Sequence, residues 1–321
     1  MGRKLFRITA LRIGIRVNML VVWLPAPQKK YLYKNLNIDR PKNMNEILIA
    51  DSGATKTDWC VSKQGEIVHR FTGKGISPIY QTEDEIAREI GQNVYPLLND
   101  RPISAVYFYG SGCIPEKEDI VRRAIHRYFP VQPIKVYSDL IAAAHALCGH
   151  TAGIACILGT GSNSCEWDGE RIVNHIPPLG FILGDEGSGA VLGKRLVSDA
   201  LKNRLSAGLK EKLLDRYGLD QATIIDNVYR QPFPSRFLAG FSPFILEHIH
   251  DESIRNIVDS CFSDFFERNV MQYDFRKNKV NFVGSIAFHY APYLKEVAAK
   301  KGATIGKIIA SPMEGLIEYY A

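Results

Sequence analysis

Residues 46–57 (EILIADSGATKT) and residues 153–164 (GIACILGTGSNS) share one pattern: a short apolar run ends at a loop of glycine and hydroxyl residues. A run of this length, bounded by glycine, is typical of a buried β-strand. After each loop the chain resumes as a second strand, makes a polar turn and continues as a third strand. Two such β-meanders, roughly a hundred residues apart, indicate duplication of a domain-sized unit.

The segments around the two meanders alternate between strand and helix patterns. The predicted helices cover residues 82–98, 116–128, 139–148, 190–207, 209–217, 241–251 and 254–266, and further strands cover 105–109, 134–137 and 279–283. We therefore predict an α/β protein with domains at 44–149 and 150–308 around a cleft. A C-terminal helix within 309–321 is predicted to pack back on the first domain.

The first 43 residues differ in charge from the rest of the chain. The 321 residues carry a net charge of +6, but residues 1–43 contain ten basic residues and one acid, which leaves residues 44–321 at −3. A mildly acidic body offers no electrostatic footprint for nucleic acid. The apolar stretch at 11–27 is interrupted by two arginines and an asparagine, so it is too short for a membrane span. We interpret 1–43 as a disordered extension, or as sequence upstream of a native start at Met44, without a nucleic-acid or membrane partner.

Cysteine and histidine usage predicts neither a disulfide framework nor a metal site. The six cysteines are scattered without a CxxC pair, which is typical of reduced structural thiols and predicts a cytoplasmic protein. Four histidines near predicted helix ends lack the spacing of metal ligands. We predict surface or capping positions for His145, His150, His248 and His250.

The first loop, residues 51–57, has the chemistry that the phosphate tail of a nucleotide needs. Glycine lets backbone N–H groups approach phosphate oxygens, and neighbouring side chains donate further bonds. Asp51, at the strand end, can hold Mg²⁺ through water because magnesium keeps most of its hydration shell. The candidate phosphate-binding residues of this loop are Gly53, Thr55, Lys56 and Thr57. An ordinary glycine-rich hairpin has the same composition, so both interpretations stay open for this loop alone.

Two further glycine loops extend this pattern. Residues 159–161 form the matching hairpin of the second meander, so two loops can hold a phosphate chain from opposite sides. Residues 284–287 follow a predicted strand and open a helix, where small residues can contact adenine or the α-phosphate. The candidate residues are Gly159, Thr160, Gly161, Gly284, Ser285 and Ala287. Each loop alone is also compatible with a plain turn, and the chain has neither a Walker nor a dinucleotide-binding motif.

Six motifs occur in an ordered set: DSGATKT at 51–57, SD at 138–139, GTGSNS at 159–164, GDEGSGA at 184–190, RFLAGF at 236–241 and GSIA at 284–287. The set resembles the N-acetylglucosamine kinase branch of the BadF/BadG/BcrA/BcrD ATPase family, in the acetate and sugar kinase/Hsp70/actin superfamily. The resemblance implies two ribonuclease-H-like (actin-like ATPase) domains around a central cleft, where ATP and a small sugar meet. It also implies ATP and Mg²⁺ as cofactors and phosphorylation of N-acetylglucosamine to its 6-phosphate. A homodimer is compatible with it.

The resemblance also assigns roles to single residues. Asp139 matches the family's catalytic base, which takes the proton from the sugar hydroxyl, whereas the residues alone suggest an acid placed at a helix N-terminus. Thr55 and Thr160 match hydroxyls that contact phosphate. The matches on the sugar side are Ser77, Asp139, Ser162, Asn163 and Asp185. Ser77 stands where the family usually has asparagine, and without the resemblance Asp185 reads as part of a solvated turn.

Two other functions stay open at this point. An ATP-driven activator of a dehydratase or reductase would belong to the same family, but such proteins hold an iron–sulfur cluster through cysteines, and no GGQD or CAAGTG-like segment occurs here. A sugar-sensing ATPase regulator could use residues 1–43 as a DNA-binding arm. Those 43 residues lack the paired helical periods of a helix-turn-helix with a linker. The presence of Asp139 favours turnover over binding alone.

Overall fold

The computed structural model describes residues 46–53, 55–98 and 100–321, so the predicted N-terminal extension lies outside the described residues. The first sheet consists of β1 (Glu46–Ser52), β2 (Lys56–Lys63), β3 (Glu66–Lys74), β4 (Ile103–Gly110) and β5 (Ile134–Ser138). Its helices are α1 (Glu83–Glu89), which continues as a π-turn and a 3₁₀ turn to Leu97, α2 (Glu118–His126) and α3 (Asp139–Cys148).

The second sheet repeats the plan. It consists of β6 (Gly153–Leu158), β7 (Ser162–Trp167), β8 (Ile172–His175), β9 (Val280–Val283) and β10 (Ile305–Ile309). Its helices are α4 (Gly180–Leu183), α5 (Gly189–Leu201), α6 (Leu209–Tyr217), α7 (Gln221–Tyr229), α8 (Pro234–Ala239), α9 (Ser242–Glu247), α10 (Glu252–Arg268), α11 (Ser285–His289), α12 (Ala291–Lys300) and α13 (Met313–Tyr319).

The two sheets have the same topology, which confirms the predicted fold. The strand order is β3-β2-β1-β4-β5 in the first sheet and β8-β7-β6-β9-β10 in the second. In each, the first three strands form an antiparallel meander and the last two run parallel to the meander's first strand. The carboxyl ends of parallel neighbours meet at one edge of a sheet, so each sheet presents one edge where several loops converge.

Helix α3 joins the two sheets and packs on both of them. Ala142 and Ala146 lie in a core cluster with the first sheet and α13, while Ala143 and Leu147 lie in a cluster with β6, β7 and β9. A helix buried on two faces needs small side chains, which explains its run of alanines. Its start is fixed by Ser138, whose hydroxyl accepts a hydrogen bond from the amide of Ile141 at 3.4 Å, the N-cap geometry.

The cysteines and His145 can be compared with their predicted environments. All six cysteines are free thiols, and five of them are buried, as predicted for structural thiols. The prediction for His145 was wrong: the side chain is buried at 6% exposure on the two-sided helix α3. Among the helices that the structure describes, none combines the length and the apolar character needed to cross a membrane.

Candidate active site

Two acidic residues lie at the carboxyl edge of the first sheet. Asp51 is near the end of β1, and Asp139 is the first residue of α3, directly after β5. The ends of the three parallel strands are level, because Ser52 pairs with Gly110 and Gly110 pairs with Ser138. The fold therefore brings together two carboxyl groups that lie far apart in the sequence.

Burial raises the pKa of both carboxyl groups, and the charge of Asp139 raises that of Asp51 further. Burial, then the neighbouring Asp139 and Asp58, raise the pKa of Asp51 to about 7, against a smaller lowering effect of Lys56. Burial also raises the pKa of Asp139, although the backbone N–H groups of Leu140 and Asp139 oppose the shift. A cation placed between such groups would relieve the repulsion.

This donor set fits Mg²⁺ better than a tightly coordinated metal. In the part of the chain that the structure describes, no group of three or more histidine, cysteine, aspartate or glutamate side chains could hold a metal ion. Magnesium is usually bound through one or two carboxylates, substrate phosphates and several waters. Asp51 and its carboxylate neighbour suit that mode.

The hairpin between β1 and β2 has an exposed tip, and the residue that follows the tip is buried and anchors the hairpin. The amide of Gly53 donates to the carbonyl of Lys56 at 3.0 Å, and the side chains of Thr55 and Lys56 are exposed. Thr57, in contrast, is fully buried, and its hydroxyl donates to the carbonyl of Lys74 at 2.8 Å and lies 2.7 Å from the hydroxyl of Ser52. The hydrogen bonds of Thr57 are made inside the protein, so the geometry gives it an anchoring role rather than a phosphate contact.

Ser52, which the sequence reasoning missed, extends this anchor to the segment that contains Ser77. Its hydroxyl donates to the carbonyl of Ile76 at 2.9 Å and accepts from the amide of Ile76 at 2.8 Å. Ser77 is buried, and its Oγ lies 3.0 Å from the position that a Cβ would occupy at Gly112, in the loop after β4. The structure therefore places Ser77 beside the same sheet edge as the two acids.

The glycine loop after β6 is held by the start of α5. The amide of Gly189 donates to the carbonyl of Gly159 at 2.8 Å, and the amide of Ala190 donates to the carbonyl of Thr160 at 3.1 Å. The turn at Gly284 lies against the same loop, since a Cβ there would be 2.4 Å from the carbonyl oxygen of Leu158. The second and third predicted glycine loops thus meet at the carboxyl edge of the second sheet, with Ser285 and Ala287 on α11 directly behind Gly284.

Asp185 is built into this edge and does not lie in a solvated turn. Its side chain is buried at 9% exposure, and its Oδ1 accepts from the amide of Ser162 at 3.3 Å. Gly161 permits this approach, because a Cβ there would lie 3.2 Å from Oδ2. Asp185 also has a left-handed backbone (φ 53°), a costly conformation for a residue other than glycine, and burial raises the pKa of its carboxyl group.

Asn163 is the second residue of β7 and lies beside His175, the last residue of β8. Its Oδ1 accepts hydrogen bonds from the amide of Ser164 at 2.9 Å and from Nε2 of His175 at 3.0 Å. The carboxamide oxygen is therefore already oriented by the protein, and Asn163 is next in sequence to Ser162, which binds Asp185.

An aromatic cavity lies beside α8, and the sequence patterns did not predict it. The cavity has a volume of about 480 Å³ and is lined by Tyr217, Leu219, Pro232, Phe233, Arg236, Phe237, Gly240 and Phe241. Helix α8 packs on the start of α5, since a Cβ at Gly189 would lie 3.1 Å from Cβ of Ala239, and the amide of Gly189 in turn binds the carbonyl of Gly159. In the sequence, the RFLAGF motif at 236–241, with its three aromatic or cationic residues, was the feature that could have indicated this cavity.

Replacement of Gly284 by alanine is expected to disrupt the junction of the two glycine loops. The position has φ +121° and no room for a Cβ. We expect a loss of at least about 2 kcal/mol in the free energy of unfolding, measured by urea denaturation. Gly218→Ala is the matched control, because Gly218 has φ +60° but nothing within 4 Å of its Cβ position; it should cost about 1 kcal/mol. Equal losses in the two variants would contradict the close packing of Gly284.

The fold is that of the actin-like ATPases, and comparison with known proteins identifies the chain as a sugar kinase and gives its family. No family model and no curated protein matches the chain. Among solved structures, it is 49% identical to the predicted N-acetylglucosamine kinase of Porphyromonas gingivalis, over 85% of this chain and 98% of that protein, with a TM-score of 0.83. The chain belongs to the family of that protein, which confirms the resemblance seen in the motifs.

More distant structures share the fold alone. The predicted N-acetylglucosamine kinase of Chromobacterium violaceum is 18% identical, over 87% of this chain and 99% of that one, with a TM-score of 0.65. A glucokinase of the ROK family from Streptomyces griseus, solved with glucose and AMPPNP, is 16% identical over 86% of this chain and 98% of that one, with a TM-score of 0.52. These matches agree with a kinase-type fold built from two related halves.

Proposed function

We propose that this protein is an ATP-dependent kinase that transfers the γ-phosphoryl group of ATP to a hydroxyl of a small amino sugar, with N-acetylglucosamine as the first candidate. The observation that carries the proposal is the convergence of Asp51 and Asp139 at one sheet edge, with the pKa of both carboxyl groups raised. The family of the Porphyromonas protein gives the candidate substrate. The free cysteines suit a reducing compartment, and we place the enzyme in the cytoplasm.

Asp139 is the proposed general base. Its carboxylate takes the proton of the attacking sugar hydroxyl, the sugar oxygen forms a bond to the γ-phosphorus, and the bond from that phosphorus to the bridging oxygen breaks so that ADP leaves with the electron pair. A raised pKa brings the carboxyl group nearer to the operating pH, which makes it a better base. Phosphoryl transfer otherwise depends on positioning and on neutralising charge.

The glycine loops and the aromatic cavity are the proposed ATP site. Gly53, Thr55 and Lys56 at the exposed tip of the first hairpin would hold the phosphates from one side, and residues 159–161 and 284–287 from the other. The aromatic cavity beside α8 would take the adenine ring, since aromatic faces and an arginine suit stacking on a planar base. Asp51 would hold Mg²⁺ through water, and the ion would supply positive charge to the phosphates.

The sugar would lie between the two sheet edges. Asp139 and Ser77 would contact it from the first sheet, and Ser162, Asn163 and Asp185 from the second. A carboxylate and an amide read sugar hydroxyls well because each offers more than one hydrogen-bonding atom. Ser77 offers only a hydroxyl, so we expect the first-sheet side to discriminate less among amino sugars than an asparagine would.

Thr55 and Thr57 give a matched pair that separates phosphate contact from anchoring. Thr55→Val should leave stability unchanged within about 0.5 kcal/mol and raise the KM for ATP several-fold, because its exposed hydroxyl would be lost from the phosphate site. Thr57→Val should instead destabilise the fold by about 1–3 kcal/mol, because it leaves buried partners unsatisfied. Urea denaturation and ATP titration measure the two effects. A Thr57→Val variant with unchanged stability and a raised KM would contradict this division.

A sugar screen with the full chain tests the proposed function. ADP release from Mg·ATP is measured with N-acetylglucosamine, glucosamine, N-acetylmuramic acid, N-acetylmannosamine, glucose and no sugar. We expect ADP release that depends on an amino sugar. Sugar-independent ATPase activity, together with iron in protein purified without oxygen, would overturn the proposal in favour of a reductase or dehydratase activator.

A further inference from the structure

Helix α3 carries Asp139 at its first residue and an unusual polar contact near its end. His145 lies six residues after Asp139, about 9 Å further along the helix axis. Its Nδ1 lies 2.8 Å from the hydroxyl of Tyr109, on β4 of the first sheet. Burial, together with His150, lowers the pKa of His145 to about 4, so the ring stays neutral and can accept this hydrogen bond.

The C-terminal helix continues this contact. The hydroxyl of Tyr109 also lies 2.5 Å from the hydroxyl of Tyr320, the residue that follows α13. The ring of Tyr320 stacks on Tyr107 with centroids 3.8 Å apart. Three polar groups, on Tyr320, Tyr109 and His145, are therefore linked in series from the end of α13 through β4 to α3.

Tyr319 holds the same helix from another side. Its ring is stacked between two histidines, at 3.9 Å from His145 with an interplanar angle of 8° and at 4.4 Å from His150 with an angle of 28°. The edge of His145 also meets Trp167 of the second sheet at 5.3 Å. Contacts from the first sheet, the second sheet and α13 thus converge on one turn of α3.

Burying several polar rings costs desolvation free energy that an aliphatic core would not incur, and a satisfied polar network fixes one geometry. In this protein the network fixes the rotation of α3 about its axis and its position along that axis, and α3 begins at Asp139. A displacement of a reacting group by about 1 Å can reduce the rate of catalysis about a hundredfold.

We infer that Tyr319 and Tyr320 are positioning residues, which orient α3 through His145 and thereby place the carboxylate of Asp139 for phosphoryl transfer. The inference rests on the proposed function. It predicts that loss of these contacts lowers kcat more than it alters KM, because Asp139 moves with α3 while the other binding groups, on the loops, stay in place.

Kinetics of single variants in the full chain test this inference. Tyr319→Leu removes the stacked ring, Tyr319→Phe keeps it, and Tyr320→Phe removes only the hydroxyl that reaches Tyr109. We expect kcat to fall at least about tenfold in Tyr319→Leu and about threefold in Tyr320→Phe, with KM values within about twofold of the wild type. Tyr319→Phe should keep nearly full activity. Phe262→Leu, in the separate core of α10, is the stability control: it should lower Tm without lowering kcat at 25 °C.

The outcomes separate the two levels of the proposal. If the wild type turns over and Tyr319→Leu keeps its kcat, or loses kcat only as much as Phe262→Leu does, the positioning role is overturned while the kinase function stands. If the wild type shows no sugar-dependent ADP release, both are overturned. Should Tyr319→Leu fail to fold, Tyr320→Phe decides alone: an unchanged kcat would overturn the role.

Discussion

Asp139→Asn is expected to reduce kcat about a thousandfold, with the KM values for ATP and sugar changed less than about threefold. Asparagine keeps the size of the side chain but cannot take the proton of the attacking hydroxyl, and a positioned general base typically contributes a factor of about 10² to 10⁴. Steady-state kinetics with the preferred sugar, together with sugar binding measured by calorimetry, separates loss of chemistry from loss of binding.

The competing interpretation of Asp139 is an acid that only favours the helix dipole. Asp119 supplies the control, because it lies in the first turn of α2, is exposed and pairs with Arg122 at 2.5 Å. Asp119→Asn should change stability by less than about 1 kcal/mol and leave kcat unaltered. If Asp139→Asn behaved like Asp119→Asn, Asp139 would be a structural acid and the assignment of the base would be wrong.

The second large effect is expected at Asp51, where function and stability should change in opposite directions. Asp51→Asn should lower kcat at least about a hundredfold, because the carboxylate that would hold Mg²⁺ is lost. The same variant should be more stable than the wild type at alkaline pH. The folded pKa of about 7 lies above the ordinary value of 3.8, so the stabilisation from a protonated Asp51 is complete below about pH 4 and is lost as the pH rises through 7.

This sign predicts how the stability of the two proteins diverges with pH. Because one pKa unit corresponds to about 1.4 kcal/mol, the advantage of Asp51→Asn should grow by about 3 kcal/mol between pH 5 and pH 8, measured by urea denaturation without magnesium or nucleotide. The lowered pKa of His145 acts in the opposite direction between about pH 4 and 6.5, but it is common to both proteins and cancels in the difference. If the difference in the free energy of unfolding between the two proteins stayed constant with pH, the raised pKa of Asp51 would be contradicted.

The fold was predictable where local patterns decide the structure. Strand ends at glycine loops marked both meanders, whereas the fold as a whole was implied by the family resemblance. Strand β10 was missed because Ile305–Ile309 is short and only partly buried, so its identity depends on pairing with β9. Helices α7 and α8 were also missed; α8 has only six residues and begins beside Phe233, which has a left-handed backbone conformation. Domain boundaries at 44–149 and 150–308 stay predictions.

The sequence predicted which loops form the candidate site, but it predicted the positions of single side chains less well. Thr57 was taken for a phosphate ligand, although the alternation of β2 already placed it on the same face as Trp59 and Val61, which point into the core. His145 was expected at the surface because helical spacing does not reveal that a second sheet covers the helix. The aromatic cavity beside α8 is assembled from segments brought together only by tertiary packing.

Identification of the product by ³¹P NMR, with the full chain, Mg·ATP and N-acetylglucosamine, tests the proposed sugar kinase activity most directly. For a sugar kinase, we expect the γ-phosphate signal to be replaced by a sugar 6-phosphate signal in one-to-one proportion with ADP. We also expect Asp139→Asn to abolish this conversion. Release of inorganic phosphate without any phosphorylated sugar, for N-acetylglucosamine and for the related amino sugars, would contradict a sugar kinase.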